Sequence, residues 1–437
     1  MARSMNLSLA VSGAALAALL VGCGGAAPVA APANAAVNAS GKPVQSATNA
    51  PAAKASEAAK AKPAEGEAEA SKPVVVAVEK KAPLLGAARE TFASASAAFA
   101  DGRLADAKAG FEKASRESTQ SAAPLVGVGA VLERQGDVPA ALEVYRKAAQ
   151  VDADDPDAAR AFVLALLASG RAPEAVSVAR ARAEKYAKSP AAATLLSEAA
   201  SGAGDSATAQ AEAQRALALD SSYVPAMLAV ARDHYRAGRV SMTAYALKAL
   251  LDGIDETTPA RAKDCAEALL LRAVIDRRTP GRRAAALEGF ARVHQLRPDL
   301  TEASLALGVM KLEAGNAEEA IASLDVAAKF APKNAFVATA LGDAYRLAGR
   351  YAEAKAMLEK AVALDGSLAA PHYNLALLFL YAGDKAGLGN EERFTAAQRE
   401  MEAYVGIRGP KAPPGVDDDA DSLLATAKQK LAEVTSK

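Results

Sequence analysis

The residues able to do covalent or metal chemistry are few: Cys23, Cys265, His234, His294 and His372. A metal centre needs three or four ligands at defined short spacings, and the three histidines stand in widely separated segments. Each reads as a packing or helix-end residue; His294, for example, is closely followed by Leu296-Arg297-Pro298. Cys265 lies in Ala262-Lys263-Asp264-Cys265-Ala266-Glu267-Ala268, a helical pattern in which it reads as a small packing residue and not a nucleophile. The chain has no G-x-x-x-x-G-K-S/T, no H-E-x-x-H, no C-x-x-C and no defensible Ser/His/Asp set. Gly387-x-Gly389 lacks the third glycine and the preceding strand of a dinucleotide loop. The expectation is a protein that is not an enzyme and takes no metal, cofactor or small-molecule substrate. With 51 Lys+Arg against 51 Asp+Glu, the chain has no basic field for phosphates, so nucleic acid is not expected as a partner.

What remains is one acylation site and a binding surface. After Arg3 an apolar run extends from Leu7 to Leu20, too short to span about 30 Å of hydrocarbon but suited to a signal-peptide core. It ends in Leu20-Val21-Gly22-Cys23, which resembles the lipobox of bacterial lipoproteins. The resemblance implies diacylglycerol on the Cys23 thiol, cleavage before it, and further acylation of the new N-terminus. Each buried CH₂ contributes about 0.8 kcal/mol, so two or three chains anchor firmly where one is marginal. Gly24, in place of Asp, points by analogy with enteric sorting to the outer membrane, with the chain facing the periplasm. Lipidation would leave Cys265 as the one free thiol and allow no intramolecular disulfide.

From Gly24 to about Lys81 the chain is Ala, Pro, Lys and Glu with few large apolar residues, too little to offset ordering entropy. It reads as a disordered tether with a reach of about 40–45 Å.

The elements that follow are set by a repeat. Gly102, Gly136, Gly170, Gly204 and Gly238 fall at intervals of 34 residues, as do Gly281, Gly315, Gly349 and Gly383. A step of 43 joins the two series, so one unit carries a nine-residue insertion. Ala107, Ala141, Ala175, Ala209, Ala286, Ala320 and Ala354 follow their glycines by five, and Ala114, Ala148, Ala216, Ala327 and Ala361 by twelve. Phe111, Tyr145, Phe290, Leu324 and Leu358 lie between, and Pro298 and Pro332 end second helices. The pattern resembles tetratricopeptide (TPR) repeats. The implied fold is all-α: a solenoid of about nine helix–turn–helix units, small residues allowing close helix approach and the glycines closing left-handed turns. Unit five departs at Thr243 and Leu250, and in unit nine Asp384 to Asn390 displaces the second helix.

The expected organisation is a signal peptide at 1–22, lipidated Cys23 and tether at 23–87, and repeats one to five at 88–252. Repeats six to nine follow at 253–404 with the insertion at their start, then a linker and amphipathic helix at 405–437. That helix, with Leu423, Leu424, Ala427, Leu431 and Val434 on one face, reads as a cap over the last repeat, with a partner-binding tail as the alternative. Arg277, Arg278, Arg282 and Arg283 form a basic turn, read as balanced by nearby acids, with an anionic partner surface as the alternative.

The resemblance to TPR solenoids also implies a concave face lined by positions 2, 5, 9, 12 and 13 of each first helix. Counting back from the glycines puts Phe92, Phe99, Val126, Leu164, Leu167, Leu228, Arg232, Tyr235 and Arg236 there, and later Leu305, Val309, Phe336, Asp343, Arg346, Tyr373 and Tyr381. Tyr and Arg suit protein anchors, so Arg232, Tyr235, Arg236, Asp343, Arg346, Tyr373 and Tyr381 are the candidate binding residues; the alternative is that they pack against the next repeat. Position 9 carries no Asn, so the carboxylate clamp of chaperone-binding TPR domains is absent.

Lipobox, tether, repeat number and the stretch from Pro371 to Asp384 (PHYNLALLFLYAGD) together resemble the TPR lipoproteins of myxobacterial adventurous gliding motility. That resemblance implies an outer-membrane scaffold docking proteins of an envelope complex. The alternatives are a pilotin or assembly factor for a secretin or barrel, and an activator of a cell-wall synthase.

Overall fold

The computed structural model describes residues 77–255, 257–409 and 419–436. Leu20 to Cys23 and residues 24–76 lie outside the described residues. Among the described residues nineteen helices follow one another in pairs. Units one to three are α1 (Gly86–Ala100) with α2 (Leu104–Glu117), α3 (Ala123–Arg134) with α4 (Val138–Val151), and α5 (Pro156–Ala168) with α6 (Ala172–Lys185). Units four and five are α7 (Pro190–Gly202) with α8 (Ser206–Leu219) and α9 (Val224–Arg236) with α10 (Val240–Leu251). Units six and seven are α11 (Ala266–Arg278) with α12 (Arg283–Leu296) and α13 (Thr301–Glu313) with α14 (Ala317–Phe330). Units eight and nine are α15 (Ala335–Leu347) with α16 (Tyr351–Leu364) and α17 (Ala369–Ala382) with α18 (Asn390–Arg408). A last helix, α19 (Ala420–Thr435), buries Ala420, Leu423 and Ala427 in a cluster with Phe394, Met401 and Tyr404 of α18, and so caps the solenoid.

The turn geometry follows from the glycines. Gly136 has φ +73°, its N–H donates to Glu133 O, and the Asp137 N–H reaches back to Leu132 O, a left-handed closure that satisfies the last carbonyls of α3. The same pair of bonds recurs around Gly102, Gly170, Gly204, Gly238, Gly315 and Gly349. Gly383 departs from the expectation. Its φ is −61°, it continues the right-handed path of α17, and the left-handed residue of unit nine is Gly387, with φ +86°. The Leu388 N–H then closes on Gly383 O, the same bond four residues later than the period predicts. Inside the pairs, close approach replaces side-chain bulk. A Cβ on Gly342 would lie 2.6 Å from Leu358 Cγ, so α15 meets α16 at a distance only glycine allows.

The core is a series of clusters of small and large apolar residues between paired helices, with Ala107, Ala141, Ala175, Ala209, Ala286, Ala320 and Ala354 all fully buried. Unit five fits its substitutions by other means. Thr243 is fully buried with its hydroxyl donating to Arg239 O, and Leu250 is buried beside it. The insertion forms a short antiparallel ribbon, β1 (Gly253–Asp255) with β2 (Thr258–Pro259), between units five and six. Beside it a cavity of about 700 Å³ opens between α10 and α12.

One stretch read as tether is held. Ala77–Leu85 carries no helix, yet Glu79, Lys80, Lys81 and Ala82 are bonded to units two to four. Counting apolar residues missed it because polar contacts, not burial of a core, hold it in place.

Candidate protein-binding groove

The first helices α5, α7 and α9 present their concave positions to one cavity of about 520 Å³. Arg160 of α5 donates from Nε and Nη2 to Glu198 of α7, at 3.0 Å each, and Arg232 of α9 donates to Glu198 Oε1 at 3.1 Å. Three successive units thus share one carboxylate. Burial pushes the Glu198 carboxyl up, but the Arg160 charge and hydrogen bonds, with Arg232 and Arg236 behind them, outweigh it and hold the group below the ordinary range. Arg160 is held above its ordinary value, chiefly by Glu198. Such a triad keeps its charges only because each guanidinium faces the same anion.

Arg236 sits one helical turn beyond Arg232 and donates to Ser201 Oγ at 3.0 Å. Enclosure by the surrounding protein and repulsion from Arg232 push its guanidinium below its ordinary value. Among the described residues it makes no ion pair; it is solvent-exposed and stands beyond the residues that line the cavity. Tyr235 turns the other way, packing partly buried among units five and six, and its hydroxyl accepts from Arg278 at 3.0 Å. Arg232 and Arg236 therefore come together with Arg160, Glu198 and Ser201. Arg160 stands at position 5 of unit three, so the same counting back from Gly170 marks it.

The other candidates do not join this cluster. Asp343 and Arg346 pair with each other on α15, at 2.6 and 3.0 Å, with Asp343 buried. Tyr373 is corrected: it is 4% exposed, its ring lies 5.1 Å from that of Tyr404, and its hydroxyl donates to Asp419 at 2.8 Å. The C-terminal helices cover it, because α18 and α19 pack over the face that earlier units leave open. Tyr381, on the same helix, is 63% exposed.

Several of the remaining polar residues have structural partners. Arg277 and Arg283 both bind Glu313, at 3.1 and 2.7 Å, and Arg282 binds Asp276 at 2.5 Å, so the basic turn is balanced by acids. His372 Nδ1 meets Glu400 Oε2 at 2.7 Å in a buried pair, and His294 Nδ1 meets Ser304 Oγ at 2.8 Å. Burial, followed by the charge of Arg239, pushes the His234 imidazole down. Cys265 is partly buried at the start of α11, where burial pushes its thiol up, the opposite of an activated nucleophile. Among the described residues no group of three or more His, Cys, Asp or Glu could hold a metal ion, and no helix is long and apolar enough to cross a membrane.

The family comparison agrees with the helix pairing in one unit. A tetratricopeptide repeat family model matches residues 337–367, which is most of unit eight. No curated protein sequence matches the chain. Among solved structures, a chain of the Cut9–Hcn1 hetero-tetramer of the APC/C is similar at 17% identity and TM-score 0.48, over 70% of this chain and 56% of that one. Human IFIT1, solved as a dimer with PPP-AAAA, is similar at 11% identity and TM-score 0.38, over 78% and 89% of the two chains. MamA from AMB-1 is similar at 20% identity and TM-score 0.31, over 40% and 92%. The chain thus spans about half the length of the first of these. The paired helices, the recurrent left-handed turns and the matched repeat make this chain an all-α, TPR-type solenoid.

Proposed function

We propose that the chain is an adaptor that holds a protein partner in the groove of units three to five and is itself anchored at the outer membrane through lipid on Cys23. A TPR-type solenoid is a protein-interaction scaffold, and the observation that carries the groove assignment is Arg236. It is an exposed guanidinium that makes no ion pair among the described residues, placed beside a network in which Arg160 and Arg232 already share Glu198. Cations exposed in an enclosed concave wall attract a complementary partner and set its register. The Leu20-Val21-Gly22-Cys23 stretch supports the anchor, and the resemblance to gliding-motility TPR lipoproteins supports a place in that machinery.

The test is a crosslinked pull-down from bacterial envelopes with the full-length lipoprotein and with R236A, which removes the hydrogen bond to Ser201 and no ion pair among the described residues. Motility-complex proteins captured by the wild type and reduced at least tenfold by R236A are the expected result. Undiminished capture by R236A would remove the groove assignment. A secretin or barrel-assembly protein in the capture would make the chain a pilotin or assembly factor, and a synthase stimulated by the chain would make it an activator.

A further inference from the structure

The segment before α1 crosses back over units three and four and is read there like a ligand. The Glu79 carboxylate accepts from Arg182 Nε at 2.6 Å and from the Ser189 hydroxyl, and the Glu79 and Arg182 side chains are each only 8% exposed. Lys81 pairs with Asp157. Between these side chains the backbone alternates: Lys80 N–H donates to Asp154 O at 3.2 Å and Ala82 N–H to Asp152 Oδ2 at 2.7 Å.

The receptor is built at a departure from the repeat. Arg182 follows Gly170 by twelve, where units one, two and four carry Ala114, Ala148 and Ala216. Its two remaining nitrogens donate to Ala153 O and Asp154 O, and its guanidinium stacks 4.9 Å from the Tyr186 ring. A large cation replaces a small packing residue, and its charge-assisted bonds go to a loop carbonyl pair and to the incoming carboxylate. Two acceptors for backbone N–H groups specify a polypeptide, not a small anion.

We propose that Asp152, Asp154, Asp157, Arg182 and Ser189 form a docking site for a non-helical segment of a protein partner. That segment carries a carboxylate two residues before a cation, and in the resting chain the site is filled by Glu79–Ala82. The site adjoins the groove: Asp157 and Arg182, with Glu79 and Lys81, line the cavity that Arg160, Glu198 and Arg232 also line, whereas Arg236 stands outside that lining. Release of the strap therefore vacates the receptor and widens the approach to the groove.

The experiment uses the full chain carrying E79A/K81A, which weakens the internal occupant without touching the receptor. A fluorescein-labelled synthetic peptide of residues 74–85 is the probe, read by anisotropy. The expected result is binding at least tenfold tighter to the strap variant than to wild type. The same peptide with E79Q should bind at least tenfold more weakly, and S189A in the strap variant should weaken binding several-fold. Equal binding to wild type and strap variant, or indifference to E79Q in the peptide, would overturn the site. Light scattering of the wild-type chain should report a monomer. A dimer dissolved by E79A/K81A would make the occupant a second copy and overturn the partner assignment. The titration contains no groove partner, so its failure leaves the Arg236 reading untouched, and the converse holds.

Discussion

Arg134, at the end of α3, donates to Asp299 Oδ2 at 3.2 Å, although 165 residues separate them and both side chains are less than one-fifth exposed. The contact joins unit two to the loop between units six and seven. It is not isolated, since the Gly102 turn lies against Lys329, where a Cβ would come within 2.7 Å of Cγ, and the Gly136 turn faces Lys333. In a stack whose units touch only their neighbours, stability is a sum of local terms. Here early and late units are also coupled directly.

Removing Arg134 tests that coupling. Burial raises the Asp299 carboxyl, but hydrogen bonds from Arg297 and then the charges of Arg297 and Arg134 bring it below its ordinary value. A depressed carboxyl contributes stability that is present above its unfolded pKa, about 3.9, and lost as pH falls through the lower folded value. R134A should therefore cost about 1 kcal/mol at pH 7, with the difference from wild type shrinking as pH falls below about 3.9 and vanishing once Asp299 is protonated in the folded chain. Urea unfolding of both chains across that range is the check. A pH-independent difference would mean Arg134 acts through packing of its stem alone.

Glu302 carries the opposite sign. Its Oε2 is enclosed without a hydrogen-bond partner, and burial raises the carboxyl despite a backbone hydrogen bond and the nearby charge of Arg134. A raised carboxyl costs stability above its folded pKa and costs nothing below its unfolded value of about 4.3. E302Q should stabilise the chain by about 1–3 kcal/mol at neutral pH, the gain disappearing toward pH 4. Loss of stability on substitution at pH 7 would show that the charged form is bound to something the solenoid needs.

Unit eight separates two reasons for glycine. G342A places a methyl 2.6 Å from Leu358 Cγ and should cost about 1–3 kcal/mol through forced repacking. G349A meets nothing within 4 Å, but φ is +77°, so its cost of about 1 kcal/mol is backbone strain alone. Denaturant unfolding combined with G342A/L358A distinguishes them: shrinking Leu358 should relieve part of the G342A cost and none of the G349A cost.

The repeat was legible because its determinants are local. Ala141 and Tyr145 pack within their own helix pair and Ala148 against Ala122 and the next unit's Ala158, so a period of 34 residues reports pairing within a unit and with its neighbour. Gly383 misled because a helix end can slip. The bond that closes the unit-nine turn depends on which glycine is free to go left-handed, and a Cβ at Gly383 would already crowd Arg393 and Phe379 O. Arg232 and Arg236 were legible as concave residues, as was Arg160 by the same count. Their joint claim on Glu198 was not, because position in a repeat states direction and not partner.

By itself, then, the amino-acid order determined the helix pairs, their number and the small residues at their seams, since these obey interactions across one turn or one neighbour. Tertiary structure alone decided that Tyr373 is covered, that Arg134 meets Asp299, and that Glu79 finds Arg182 across 103 residues. Those contacts depend on how small rotations add along the stack, a sum that no single unit's residues contain.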